Sequence, residues 1–83
     1  MQYRLDLVLH PAEGALLRVI GMAERRGFAP RAINGAPDAD DHGRWHLQLV
    51  VDGSRPPETL CRQIEKIYDC VSVQVTELQG VAA

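Results

Sequence analysis

Two cysteines, three histidines and a cluster of acids are the side chains of this 83-residue chain with the most chemical reach. Cys61 and Cys70 do not stand at a metal-ligand spacing, and a disulfide scaffold of this length usually carries more of them. Both fall in apolar-patterned segments, so they read as reduced, partly buried thiols. Asp38, Asp40, Asp41 and His42, with His10 or His46 as a further ligand, could be imagined around a cation. Their order fits no EF-hand loop, which needs a glycine and a terminal Glu at set offsets. Clustered acids in a hairpin loop read instead as a solvated turn.

Phosphoryl and nucleophilic chemistry find less support. His10-Pro11-Ala12-Glu13-Gly14 offers one glycine and an acid that would repel phosphate, and Arg18 is assigned to the surface of the following helix. There is no Gly-rich phosphate loop, no Cys/His pair at a workable spacing and no pair of carboxylates on one face. The expectation is a chain without catalytic residues or a metal. Nucleic acid is disfavoured as well. The net charge is -2 and the aromatic content 5%, whereas phosphate binding favours a basic surface and RNA binding needs exposed rings. Trp45 falls on the apolar side of its strand by alternation and is expected in the core. The apolar runs are far shorter than the ~20 residues that span a bilayer. No basic start precedes an apolar signal core. The reading is a soluble, cytoplasmic protein.

The elements that must position these residues follow from periodicity. Tyr3, Leu5, Leu7 and Leu9 alternate with Arg4, Asp6 and His10, which predicts a strand with one apolar face and a Val8 exception. A Pro11/Gly14 turn leads into a helix from Ala12 or Ala15 to Arg26, with Leu16, Val19, Ile20 and Ala23 as its stripe. Gly27 is the expected stop. Phe28 to Ala36 reads as a second strand. Pro30 lacks a donor, so that strand should be an edge or carry a bulge. Pro37 to Gly43 is a polar turn. Trp45, Leu47, Leu49 and Val51 mark a third strand. Pro56 and Pro57 open a second helix, with Leu60, Ile64 and Ile67 buried and Asp69 at its end. Val71, Val73 and Val75 mark a fourth strand, and Gln79 to Ala83 a frayed tail.

Strand, helix, strand, strand, helix, strand is the split βαβ, or ferredoxin-like, arrangement. Its right-handed crossovers put both helices on one face of an antiparallel sheet. Arg4, Asp6, His46, Gln48, Gln74 and Thr76 should line the opposite face. Residues 1–83 make one α+β domain, about 3–78 ordered. The fold hosts many functions, so the residues must decide. A lack of catalytic groups, a small core and an open edge strand suit a ligand-sensing or subunit-interaction domain.

Gly14-Ala15-Leu16-Leu17-Arg18-Val19-Ile20-Gly21, followed by Arg26-Gly27-Phe28, resembles the ACT domain of acetolactate (acetohydroxyacid) synthase small subunits. That family carries a "GAL-x-RVIG" segment and then "RGF" or "RGY". Gln63-Ile64-Glu65-Lys66-Ile67-Tyr68-Asp69-Cys70-Val71 is similar to its "QL-x-KL-x-DV" passage. The likeness runs from Tyr3 to Leu78, and the short chain looks like the isozyme II type. The resemblance implies a non-catalytic regulatory subunit in branched-chain amino-acid biosynthesis. It would bind and activate a catalytic subunit carrying thiamine diphosphate, Mg²⁺ and FAD, and hold no cofactor itself. It also implies a homodimer through the second strand and an amino-acid site at Gly14, Ala15 and Leu16, whose free amides can hold a carboxylate. The family's two ligand-contacting Asn residues are absent: Pro11 and Ala29 stand in their places. Each lost hydrogen bond to a charged group is worth about 1.5–3 kcal/mol, so valine should bind weakly or not at all. The polar sheet face and Arg18, Arg25 and Arg31 are candidate contacts to the catalytic subunit. A freestanding ACT-type amino-acid sensor is the alternative.

Overall fold

The computed structural model describes residues 1–78; the expected tail, Gln79 to Ala83, lies outside the described residues. The elements are β1 (Gln2–Leu9), α1 (Ala15–Arg25), β2 (Ala29–Asp38), β3 (Arg44–Asp52), α2 (Pro57–Glu65) and β4 (Cys70–Leu78). A single 3₁₀ turn, Ala39–Asp41, joins β2 to β3. The order is the expected βαββαβ. The four strands form one antiparallel sheet in the order β2-β3-β1-β4.

Alternation in β1 produces the core. Tyr3, Leu5, Leu7 and Leu9 are buried, while Arg4, Asp6 and Val8 between them are half-buried. Register sets Leu5 opposite Leu49 of β3 and Val75 of β4, and Leu7 opposite Leu47 and Val73. Both helices cover this face: Ala15, Val19 and Ala23 of α1 and Leu60, Cys61 and Ile64 of α2 complete the cluster. The buried line of α1 is therefore rotated from the expected one. Small Ala15 and Ala23 let the helix approach the strands closely, and Leu16 and Ile20 move to its half-buried flanks.

Several boundaries differ from expectation for local reasons. Phe28 is not the first residue of β2. Its amide bonds the Ala23 carbonyl at 2.9 Å, and its buried ring meets Tyr3 edge-on, with centroids 6.3 Å apart. The chain reverses just before it at Gly27, whose φ is 87°. α2 ends at Glu65 rather than Asp69, and a turn closed by Cys70 N–H to the Ile67 carbonyl at 3.0 Å leads into β4. β2 runs on to Asp38 because Pro37 and Asp38 still pair with Trp45 and Arg44. Pro30 meets both of its expected conditions: β2 is an edge strand, and its register shifts between Pro30 and Ala32. None of the β2 residues is buried. No helix among the described residues is long and apolar enough to cross a membrane.

Candidate functional site

The chain between β1 and α1 is held by few bonds of its own. The Ala12 amide turns back on the His10 carbonyl at 2.7 Å, and the Ala15 amide on the Ala12 carbonyl at 3.2 Å. Gly14 is the N-cap of α1, with φ 78° and no side-chain cap. That left-handed conformation costs a residue with a Cβ roughly 1–2 kcal/mol. A Cβ there would also come within 3.1 Å of Arg18 Nη1. Among the described residues, no backbone acceptor meets the amides of Gly14, Leu16 or Leu17. The first turn of a helix leaves such donors open. The Ala15 amide, expected to be open with them, is partly committed to its own turn.

These residues border an apolar cleft of about 210 Å³, lined by Leu9, Ala12, Gly14, Ala15, Leu16, Leu17, Trp45 and Leu47. Gly14, Ala15 and Leu16 are thus brought together at this cleft. Pro11 and Ala29 are not among the lining residues; Ala29 opens the edge strand, opposite Asp52. Trp45 corrects the sequence reading. It faces the helix side, as alternation requires, but it is 38% exposed rather than buried. It sits at the first end of β3, opposite Leu9. α1 begins only at Ala15, and Ala12 and Gly14, the turn residues that line the cleft beside it, are too small to cover an indole. Leu17, 73% exposed, lines the same cleft. Helical spacing excluded Leu17 from the buried stripe, and neither residue was legible as a cleft wall.

A second feature escaped sequence reasoning. Arg18 lies on the helix surface, as expected, but its guanidinium donates to the Asp69 carboxylate and, at 3.3 Å, to the Glu13 carbonyl. Asp69 is only 5% exposed. It is the buried polar residue of the described chain, and its own carbonyl accepts from the His10 amide at 2.8 Å.

The acidic cluster resolves differently. The Asp38 carboxylate caps the Asp40 amide at 2.9 Å. His46 Nε2 lies 2.8 Å from Asp41 Oδ2 and 3.8 Å from Asp38 Oδ2. The His46 hydrogen bond, with Arg44 helping, holds the Asp41 carboxyl below its ordinary value. His42 takes a left-handed conformation that carries the chain into Gly43. Among the described residues, no three His, Cys, Asp or Glu side chains are placed to hold a metal ion. Cys61 and Cys70 are free thiols, and burial, reinforced by Glu65, pushes both above the ordinary thiol range.

α1, most of the β1–α1 turn and every residue lining the cleft except Leu9 lie within residues 11–73, over which a model of the ACT domain matches the chain. The chain belongs to the ACT domain family. Solved structures share its fold. The ACT domain from GTP pyrophosphokinase of Chlorobium tepidum is 17% identical, covers 92% of this chain and 97% of its own, and superposes with a TM-score of 0.72. The C-terminal domain of the MgtC protein from Mycobacterium tuberculosis is 15% identical over 99% of this chain and 92% of its own, with a TM-score of 0.71. Formyltetrahydrofolate deformylase from Burkholderia mallei is 22% identical, with a TM-score of 0.69; 92% of this ACT domain matches 27% of that longer chain. At these identities the likeness is one of fold. Family membership points to regulation through sensing of an amino acid or another small ligand.

Proposed function

We propose that this ACT domain is the regulatory, activating small subunit of an acetolactate synthase of the isozyme II type, acting in valine, leucine and isoleucine biosynthesis. The observation that carries the reading is the run Gly14 to Gly21 with Arg26-Gly27-Phe28. It resembles the small-subunit pattern and occupies the β1–α1 turn, α1 and its stop. The chain would bind the catalytic subunit and favour its active conformation. Thiamine diphosphate, Mg²⁺ and FAD belong to that subunit, in the cytoplasm, and this chain supplies no reacting group. Two copies would pair along β2, whose outer edge is free among the described residues and none of whose residues is buried.

Valine feedback would be weak or absent. The cleft can shelter an aliphatic side chain, and the Gly14 and Leu16 amides can meet a carboxylate. Among the described residues, no carboxylate, amide or hydroxyl side chain lines it to accept from an ammonium group. That same cleft favours a second reading, a freestanding ACT-type amino-acid sensor acting on another protein. One titration separates them: the purified chain is added to the partner-free catalytic subunit from the same organism, and acetolactate is measured. A saturable rise supports the activating subunit. A flat response with both proteins folded overturns it. Calorimetry with valine is expected to show weak binding or none; tight binding that depends on Gly14 would contradict this and support the sensor.

A further inference from the structure

We propose that Asp69 is a positioning residue for the β1–α1 turn, acting from the α2–β4 turn through Arg18 and His10; this rests on reading that turn as the ligand-accepting one. Both ends of the turn reach Asp69. At its start the His10 amide donates to the Asp69 carbonyl at 2.8 Å. At its end the Asp69 carboxylate holds the Arg18 guanidinium, which also donates to the Glu13 carbonyl. The guanidinium lies over Gly14, close enough that a Cβ there would sit 3.1 Å from Nη1. The turn's local backbone bonds are few: the Ala12 and Ala15 amides bond back into it, and the Arg18 amide donates to the Gly14 carbonyl at 3.0 Å, so a good part of its placement comes from this remote residue. A nearly buried carboxylate is a stiff anchor, because leaving it without its cation is costly. The amides of Gly14, Leu16 and Leu17 are thus held beside the cleft by a contact that touches no ligand. Tyr68, next to Asp69 in the chain, is 93% exposed. What binds at the turn is therefore connected to a surface point at the α2–β4 turn, and the connection is reciprocal.

The test is amide hydrogen exchange on the full chain, with Trp45, its only tryptophan, as a second reporter on the cleft. Arg18→Gln changes an exposed residue and leaves the core intact; Asp69→Asn removes the charge from the other side. In both variants the hydrogen-bonded amides of His10, Ala12, Ala15 and Arg18 should exchange at least about tenfold faster, while those of Leu5 and Leu49 keep their wild-type rates. Trp45 should become easier to quench with acrylamide. Arg18→Lys should restore most of the protection, and the double variant should be no worse than either single one. Unchanged exchange at the turn in Arg18→Gln would overturn the proposal. So would a uniform loss of protection across the sheet, which would mark Asp69 as general scaffolding. None of these readouts uses the catalytic subunit, so failure of the activation titration and failure of this proposal remain separate results.

Discussion

The β1–α1 turn and the β2–β3 hairpin lie at the same end of the sheet, with Trp45 paired to Leu9 on one side and to Pro37 on the other. Each holds a cation against a carboxylate, and the two contacts do different work. At the hairpin, Asp38, Asp41, Arg44 and His46 all keep about a third or more of their side chains in water. Such pairs are screened and lose side-chain entropy, so they add little. At the turn, the carboxylate of Asp69 is nearly dry, and it anchors a segment that has few bonds of its own. The richer cluster of charges is thus the weaker structure. Burial of one partner, rather than the number of charged groups, separates a strut from a solvated contact.

The largest effect that tests this contrast is the loss of Asp69. Asp69→Ala should lower the free energy of unfolding by about 2–3 kcal/mol, since it removes a charge-assisted hydrogen bond and empties a buried site, while the half-exposed Arg18 guanidinium it releases turns to water. Urea denaturation reads this directly. A loss no larger than that from a hairpin substitution would erase the distinction. Gly14→Ala should cost about 1–2 kcal/mol in the same assay, because φ at that position is positive; a neutral result would mean that the turn relaxes to another backbone.

The thiols give a kinetic version of the comparison. Cys70 follows Asp69 directly and pairs with Leu9, so it belongs to the drier region. Its raised pKa, and that of Cys61, favour the uncharged thiol. Alkylation at neutral pH should be slow in the native protein, fast in urea and intermediate in Asp69→Ala. The sign of the stability effect follows. Below the ordinary thiol value of 9.0 the contribution is complete. As the pH rises past it the unfolded chain ionises first, and stability falls. Stability that is flat from neutral pH to beyond 9.0 would contradict this.

The smallest effect belongs to the hairpin. His46→Gln should change stability within the error of denaturation, and return the Asp41 carboxyl toward 3.8 when followed by NMR. The Asp41 contact contributes above that value and is lost as the pH falls through the lowered folded pKa. A large destabilisation by His46→Gln would reverse the comparison.

The ferredoxin-like order and the face of each strand were legible from alternation, since a period of two leaves only one apolar side. Gly14 and Gly27 were legible because glycine admits the positive φ that a turn needs, and Pro30 because it fixes its own φ and lacks a donor. Trp45 was legible only halfway: its side follows from parity, but its exposure depends on where α1 begins above it. Asp69 read as the end of a helix. Nothing near it in the chain signals that a residue on α1 will meet its carboxylate.

By itself, the sequence determined the element order, the apolar faces, the special turns and the motif that resembles one family's regulatory subunits. These are properties of neighbours, governed by local sterics and by burial of a periodic pattern. Only the tertiary structure decided that Leu17 and Trp45 line one cleft beside Gly14. It alone brought Asp69 under Arg18 and His10. Contacts between distant segments depend on how α1, α2 and β1 are set against one another, and that placement comes from packing the whole core at once.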